Sequence, residues 1–451
     1  MVAAVRESRD AVALQEAAFR PMHAPGRWFW PLFLVLGALV ALAAVGYGYQ
    51  LLSGLWVAGY NDTAFYGIYE ANLVAFIGVS YGGALVSAVL RLTNARWRAP
   101  VTRMAEGMAL VSLLVGAAFA IIHLGRPERI WLLIVSPQAA SPIVWDAIAI
   151  TTYLVATLIF LYLPLIPDMA FARDRLGPSA NRLQRVFYRL AAAGWQGTPA
   201  QRRSLNWSVG AMAVLIIPLA ITVHSVLAWA FSMTSRPGWH STIFGPYFVI
   251  GALYSGVALV IVVVAAFRKA YRLEPYIGLG HFVSLARIMA VLGAVYLYFT
   301  FSELLTAAYT ASHEEASIVA VLLEGSWAPL FWTFMVGGIF VPLALSLAPA
   351  TRKVRYLVLA GLLAVVGMWL KRMLITLPPA TAPLIGDVWG TVQLTWVAIA
   401  LTLGATAAIP LGLMILFRFV PILALHEMEE VDAEGAPESA HDRAVAVEGV
   451  L

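Results

Sequence analysis

The stretch from Trp28 to Trp56 reads WFWPLFLVLGALVALAAVGYGYQLLSGLW and contains no charged residue. A helix needs roughly 20 apolar residues to cross the hydrocarbon core of a bilayer, and this run is longer than that. It is also too long for the apolar part of a signal peptide, and it lacks an obvious cleavage site. We therefore predict that the stretch is a membrane-spanning helix.

The composition extends this prediction to the whole chain. Of its 451 residues, 61% are hydrophobic and only 12% are charged, which is about half the charged fraction of a soluble protein. The predicted fold class is an all-α integral membrane protein with ten transmembrane helices. We place them at about residues 28–56, 66–90, 101–123, 142–166, 207–233, 243–267, 281–308, 327–349, 354–376 and 388–420.

Similar segments open the second and sixth spans, TAFYGIYEANL and STIFGPYFVIG, and each is followed by a Tyr-X-Gly further along. The match predicts two four-helix bundles, about 66–233 and 243–376, flanked by two peripheral helices. The alternative is no duplication, because small residues recur in membrane helices for packing. The predicted domains are an amphipathic N-terminal segment (1–27), the ten-helix membrane domain (28–420) and an acidic tail (421–451), with disorder from about His426.

Basic residues separate the loops into two sets. Most of the 29 lysines and arginines lie in the N-terminal segment and in alternate loops, whereas the opposite loops hold Arg126, Arg129 and Arg236. The positive-inside rule then places both termini in the cytoplasm. It also accounts for the net charge of +5 without a nucleic-acid partner. An amphipathic helix is expected at NRLQRVFYRLAAAGW in the fourth loop, with its arginines facing anionic lipid headgroups.

Ionisable residues gather at the predicted outer, non-cytoplasmic ends of three consecutive spans. Glu70 lies about one turn inside span 2, His123 closes span 3, and Asp146 lies in the first turns of span 4. Any one of them is more often structural than functional, because it can reach the headgroups. Together they form a group that can exchange protons near neutral pH. Such chemistry suits a substrate that gains or loses protons with electrons.

Further polar residues are embedded in the predicted spans, where they are costly. His224 in span 5 is either a hydrogen-bonded packing residue or a ligand, and haem is disfavoured because His123, its nearest candidate partner, lies at the membrane edge. A second set either marks a proton path or pairs internally to tie helices together: Glu106, Arg287, Glu303, Lys371 and Arg372. In the outer loops, Arg129, Trp239 and His240 are candidate partner contacts or interfacial anchors.

Two motifs, HLGRPERIW from His123 and SPIVWDAIAITTYL from Ser141, resemble those of the membrane subunits of the polysulfide-reductase (NrfD-like) family. NDTAFYGIYEANL before them and VHSVLAWAF with PGWHSTIFGPYF after them extend the resemblance over about residues 55–310. The number of helices is similar to that of larger members, such as the quinol-oxidising subunit of alternative complex III. The short His123–Asp146 connection and the NDTAFYG stretch are closer to members that serve molybdenum enzymes.

The resemblance implies a quinone site near the outer face, with electrons exchanged with an iron–sulfur protein docked there. It implies that the chain holds no redox metal, in keeping with its lack of cysteine. The motif positions that line the family's quinone pocket correspond to His123 and Asp146, which we expect to bind the quinone oxygens and relay protons. Tyr66, Glu70 and Asn72 are expected to complete the pocket wall, and Arg126 to orient Asp146 or contact the partner.

The sequence thus predicts a quinone-binding subunit (menaquinone or ubiquinone) of a multi-subunit oxidoreductase in the bacterial inner membrane. Its expected partners are the iron–sulfur protein, other membrane and catalytic subunits and the lipid bilayer. Coupled proton translocation stays open. Two alternatives also stay open: a transporter or ion-translocating subunit without redox chemistry, and a membrane scaffold that has lost its quinone.

Overall fold

A computed structural model describes residues 2–176, 181–310, 312–383 and 388–429. In these ranges the chain is helical, and its β pairing is confined to an isolated bridge between Asn61 and Ala64. The first helices are α1 (Val2–His23), α2 (Phe29–Ser53), α3 (Ile68–Leu92), α4 (Ala99–Ile122), α5 (Leu132–Val135), α6 (Pro142–Arg175), α7 (Arg182–Ala191) and α8 (Pro199–Ser232). The others are α9 (Phe244–Tyr271), α10 (Leu279–Thr310), α11 (His313–Leu323), α12 (Ala328–Thr333), α13 (Val341–Leu347), α14 (Val354–Thr381) and α15 (Trp396–Phe419).

Ten helical segments of the described chain are long and apolar enough to cross a membrane. They confirm the all-α class and the ten predicted spans. The eighth span is composite, since α12 and α13 are joined by a π-helical stretch, Phe334–Phe340. Gly338 in that stretch packs backbone to backbone against Gly367 of α14. The Tyr254 hydroxyl donates to the Gly338 carbonyl at 2.8 Å, so α9, α14 and the π-helical stretch are joined at one point.

Helix α3 occupies the centre of the membrane domain, with 89% of its most apolar stretch buried. It packs on α4 and α8 and also on α9 and α14. Gly82 of α3 meets Gly256 of α9 so closely that a Cβ on either would overlap the other's backbone. The peripheral helices α2 and α15 pack on each other. The grouping into two four-helix bundles stays a prediction, because α3 contacts both predicted groups.

The domain has two ends, which we name after residues that lie there. The terminal face carries α1 and the segment after α15, and the His123 face is the opposite end, where α4 ends. Arg418 donates to the carbonyls of Pro21 and Met22 at 2.8 and 2.9 Å. The Ile422 N–H donates to the Ala18 carbonyl at 3.1 Å. The two ends of the described chain therefore close the terminal face together.

Of three further features of the fold, the first agrees with the prediction from the sequence and the other two differ from it. The amphipathic helix of the fourth loop is confirmed as α7, which begins with a capping box between Asn181 and Gln184. The last span begins at Trp396 rather than near residue 388, because the Thr395 hydroxyl caps α15 and residues 388–395 run as a loop. Disorder from His426 is wrong for the described residues 426–429, which form a helical turn in which Glu427 is buried. Residues 430–451 of the predicted tail lie outside the described residues.

Candidate functional site at the His123 face

His123 is the residue at which α4 ends. Its ring Nδ1 lies 2.8 Å from the Phe119 carbonyl oxygen. A carbonyl is an acceptor, so Nδ1 carries the hydrogen, and in the neutral ring Nε2 is left as the acceptor. Nε2 lies 3.6 Å from Oε1 of Glu70. The imidazole is thus oriented by the backbone of its own helix and faces a carboxyl group from α3.

Glu70 lies in the first turn of α3 and is buried, with 5% of its surface exposed. Its Oε1 has no hydrogen-bond partner among the residues described. Leaving a buried carboxylate oxygen unpaired is unfavourable; at 3.6 Å, His123 Nε2 is too far for a hydrogen bond but close enough to form an ion pair with Oε1 when the imidazole is protonated. The His123 side chain is 26% exposed. The pair can therefore hold a proton and still reach the surface of the His123 face.

Asp146 and Tyr66 complete this group from two other elements. Asp146 lies about one turn into α6, after Pro142 at the first helical position, and interacts electrostatically with Glu70 and His123. Tyr66 lies in the loop before α3. Burial, together with the carboxylates of Glu70 and Asp146, raises the pKa of Tyr66 to about 12. The phenol therefore keeps its proton at physiological pH and is available as a hydrogen-bond donor beside two carboxyl groups.

Two residues that the sequence did not single out support the group. Gln50 of α2 is buried and donates to the Ile122 carbonyl at 2.8 Å, next to His123, while it accepts a hydrogen bond from the Tyr69 hydroxyl. Tyr60 lies near Glu70. Burial, the larger cause, and the Glu70 carboxylate raise the pKa of Tyr60 well above its usual value. An uncharged polar residue near the end of an apolar run was the available signal for Gln50.

Aromatic rings form a wall beside Tyr66. The Tyr66 ring lies 5.7 Å from that of Trp239 and 6.2 Å from that of Phe231. Phe65 packs on Tyr66 at 4.9 Å, and the Arg236 guanidinium lies 4.5 Å from the centre of the Phe65 ring. Aromatic rings at these separations stabilise one another, and Phe65 and Tyr66, which are partly exposed, offer flat faces to a planar ligand.

Asn72, expected in the pocket wall, belongs to a different contact. Its amide donates to the Thr402 hydroxyl and accepts from the Trp369 indole, both at 2.8 Å. These bonds tie α3 to α15 and α14. Asn72 follows Glu70 by two residues, which turns its side chain about 200° around the helix. Asn72 therefore points away from Glu70 in this structure, and its place in the pocket wall stays a prediction.

The candidate partner contacts differ in exposure. Arg126, Arg129 and His240 are exposed at the His123 face, and Pro127–Arg129 form a short 3₁₀ turn. Trp239 is only 1% exposed, and its indole N–H donates to the Ile375 carbonyl at 2.6 Å. The Trp239 indole is therefore part of the protein interior in this structure, and the two alternatives for it, partner contact and interfacial anchor, stay untested.

His224 lies in a separate buried cluster. It is fully buried in α8, 4.9 Å from the ring of Tyr81, and interacts electrostatically with Arg372 of α14. Neither ring nitrogen of His224 has a hydrogen-bond partner within the described part of the chain. We call Glu70, His123, Asp146 and Tyr66 the His123 group. The structure does not place His224 with this group.

Glu106 belongs to a network of buried charges toward the terminal face. It accepts a hydrogen bond from Ser87 at 2.7 Å, and Arg103, an electrostatic neighbour, pairs with Asp168 at 2.8 Å. Arg91 pairs with Glu427 nearby. Sequence reasoning missed Asp168 and Glu427; the signal for Asp168 was a carboxylate at the end of an apolar span, whereas Glu427 lay in a segment expected to be disordered.

The other predicted proton-path residues are divided between interior and surface. Lys371 is buried, with its Nζ 5.4 Å from the ring centre of Tyr247 and 5.8 Å from that of Phe334. Glu303 interacts with Lys371 electrostatically. Arg372 is also buried, over the ring of Phe248 at 5.1 Å. Arg287 is exposed on α10 and is not joined to these residues.

The described residues contain no group of three or more histidine and carboxylate side chains placed to hold a metal ion. With a profile of the polysulphide reductase (NrfD) family matching residues 56–382, the chain belongs to that family of membrane proteins. The match includes α3, α4, α6 and the loop before α3. It therefore contains every member of the His123 group.

Three relatives resemble most of the chain. A putative dimethyl sulfoxide reductase membrane subunit of Halobacterium salinarum is 28% identical over 86% of this chain and 91% of its own length. A selenate reductase subunit of Mesobacillus selenatarsenatis is 23% identical over 78% and 82%, respectively. The Hdr-like menaquinol oxidoreductase integral membrane subunit of Archaeoglobus fulgidus is 24% identical over 81% and 83%. All three names are those of oxidoreductase subunits, and the chain is a membrane subunit of this kind.

Proposed function

We propose that this chain is the quinone-reactive membrane subunit of a multi-subunit oxidoreductase, with its quinone site at the His123 face. The observation that carries the proposal is the convergence of Glu70, His123, Asp146 and Tyr66 from three helices and a loop. The name of the menaquinol oxidoreductase relative supports the choice of ligand. Menaquinone and ubiquinone share the oxygen chemistry on which the proposal rests.

The residues present fit a quinone. A quinone ring carries two oxygens on opposite sides. In the quinone, each oxygen needs a hydrogen-bond donor. In the quinol, each hydroxyl group needs a proton acceptor when the quinol is oxidised. The protonated Tyr66 phenol is a donor, and His123 Nε2 and the Asp146 carboxylate are proton acceptors. The unpaired Oε1 of Glu70 is a second buried acceptor behind His123. The partly exposed rings of Phe65 and Tyr66, which pack on the buried Phe231 and Trp239, supply flat faces for the quinone ring.

The ligand supplies the two-electron, two-proton redox chemistry when it is bound. In the oxidising direction, His123 Nε2 accepts one proton and Asp146 accepts the other, and Glu70, 3.6 Å from Nε2, stabilises the protonated imidazole and can take its proton once the two side chains come within hydrogen-bonding distance. Phe119 holds the Nδ1 hydrogen, so the imidazole keeps its orientation during the transfer. In the reducing direction the same groups donate. His123 is partly exposed and connects the pair to solvent.

The electrons require a partner, because this chain has no cysteine and the described residues form no metal site. We infer an iron–sulfur subunit docked at the His123 face, near Arg126, Arg129 and His240, which are exposed there. The names of the reductase relatives support assembly with catalytic subunits. Arg126 would then contact the partner rather than orient Asp146.

We propose that the chain lies in a bacterial inner membrane with both termini in the cytoplasm. Arg91, Arg103, Arg268 and Arg418 lie at or near the terminal face, where helices α3, α9 and α15 end and α4 begins. The positive-inside rule assigns such a face to the cytoplasm. The His123 face is then the outer face. Glu106, Glu303, Lys371 and Arg372 remain candidates for a proton path between the faces, and the buried charges around them support that reading.

Quinone-dependent turnover of the purified complex tests the proposal, with His123→Ala and Asp146→Asn as the altered chains. We expect each to lose roughly 100-fold or more of that turnover, the scale of a lost general acid–base group. Turnover with a soluble artificial donor that feeds the catalytic subunit directly should not change. Asp174→Asn, which makes the same change at an exposed carboxyl group near the other end of α6, is the matched control.

Full quinone-dependent turnover in correctly assembled His123→Ala and Asp146→Asn complexes would contradict the proposal. The two other classes of function give different results. A transporter would purify without an iron–sulfur partner and move a solute, and a scaffold would yield no quinone on lipid extraction and bind no quinone-site inhibitor.

A further inference from the structure

A cavity of about 770 Å³ lies away from the His123 group, between the peripheral pair α2–α15 and helices α3, α9 and α14. We call it the slot. On α9 its lining residues run from Ser255 to Tyr271, which at 1.5 Å per residue is about 24 Å along the helix axis. Its volume lies within the range of small-molecule sites, about 300–1,000 Å³. The slot is therefore long enough for an extended hydrocarbon chain.

The two ends of the slot differ in chemistry. Toward the terminal face it is lined by Trp28, Phe29 and Tyr271, aromatic residues of the kind found at membrane interfaces. Its middle is lined by aliphatic side chains. Toward the His123 face it ends at Arg372, Thr402 and Ser255, just below the hydrogen bonds that tie α3 to α14 and α15.

Arg372 is the unusual member of that inner end. The hydroxyl of Ser255 donates to the Gly251 carbonyl, that of Thr402 donates to the Ala398 carbonyl, and the Trp369 indole donates to Asn72. Both terminal nitrogens of Arg372, by contrast, find no hydrogen-bond partner anywhere in the described ranges, although the residue is 2% exposed. A buried guanidinium without an acceptor is strongly unfavourable. An oxygen acceptor is therefore expected at this end of the slot.

The position of Arg372 selects among lipids. A phospholipid keeps its ionised phosphate at the membrane surface, so that its acyl chain would end at Arg372 and leave the guanidinium unpaired. An isoprenoid quinone carries neutral carbonyl oxygens at one end of an apolar chain and can bury that end. We propose that the slot binds an isoprenoid quinone, with a ring oxygen accepting from Arg372 and the chain extending toward Trp28. This would be a second quinone, separate from the one at the His123 group.

The test counts quinones in the purified complex after saturation with menaquinone-4, followed by solvent extraction and mass spectrometry. Ala266→Trp fills the middle of the slot from an exposed position on α9, so the fold should tolerate it. Ala44→Trp, at an exposed position of α2 outside the slot lining, is the matched control. We expect Ala266→Trp to lose about one quinone per chain and Ala44→Trp to lose none.

Arg372→Met tests the acceptor contact independently. Loss of a charge-assisted hydrogen bond should weaken binding of the slot quinone roughly 10- to 100-fold, while His123→Ala should deplete the other quinone and add to the loss in Ala266→Trp. Equal quinone content in the two Trp variants would overturn the proposal, as would loss of a phospholipid or fatty acid in place of quinone. Failure of the function proposed for the His123 group would appear separately, as unchanged turnover in His123→Ala.

Discussion

The ion pair between Arg103 and Asp168 allows a quantitative prediction. The Arg103 Nη2 lies 2.8 Å from Asp168 Oδ2, and the two side chains are 0% and 2% exposed. Asp168→Asn preserves size and retains an oxygen for the His426 N–H, which now donates to Oδ1 at 3.0 Å, but it removes the charge. The Arg103 guanidinium then stays buried but loses the carboxylate to which it is hydrogen-bonded. We expect a loss of about 3–5 kcal/mol in the free energy of unfolding.

The adjacent pair of Arg173 and Asp174 provides the control on the same helix. Its N–O distance is similar, 2.7 Å, but the side chains are 30% and 64% exposed. Solvent screens such a pair, so Asp174→Asn should cost less than about 1 kcal/mol. Reversible unfolding of the purified protein in mixed micelles, with increasing sodium dodecyl sulfate, measures both variants.

The double variant Arg103→Leu with Asp168→Leu separates charge burial from general damage. Replacing a whole buried ion pair with apolar residues is often neutral, so the double variant should be more stable than either single one. Equal losses in Asp168→Asn and Asp174→Asn, or a double variant less stable than both single ones, would refute the reasoning.

Two further predictions concern Tyr66 and the crossing of α3 and α9. Tyr66→Phe should raise the KM for quinone roughly 3- to 10-fold. The pKa of Tyr66 is raised to about 12, so the phenol is still protonated at pH 10. The ratio of wild-type to variant rates should therefore stay constant from neutral pH to pH 10. A step in that ratio near pH 10 would contradict the raised pKa. Gly82→Leu should destabilise the protein by about 1–3 kcal/mol, as overpacking does, since its Cβ would overlap the backbone of Gly256. Gly48→Leu, where nothing lies within 4 Å, is its control, and equal unfolding free energies for the two leucine variants would argue against a close crossing.

Much of the fold was predictable because the bilayer imposes a length on every span. The ten apolar runs needed no tertiary information, and the gathering of Glu70, His123 and Asp146 followed from their shared position at helix ends. Two residues along a helix turn a side chain almost to the opposite side, so the periodicity of α3 already indicates that Asn72 and Glu70 point in different directions.

Other features depend on contacts that no local pattern reports. Glu427 looked like part of a solvated acidic tail, and its burial depends on Arg91, which precedes it by 336 positions. Trp239 is of a residue type common at membrane interfaces, but its side chain points inward, and its indole N–H donates to the Ile375 carbonyl. The slot is likewise formed between helices distant in sequence. Such pairings follow from the packing of complete helices.

The most direct measurement of the central claim is a density map of the complex with quinone bound. We predict a quinone ring with its oxygens within hydrogen-bonding distance, about 2.7–3.2 Å, of His123 Nε2 and the Asp146 carboxyl group, and with the ring beside Tyr66. A saturated complex in which quinone lies solely in the slot, or nowhere near His123 and Asp146, would contradict the account.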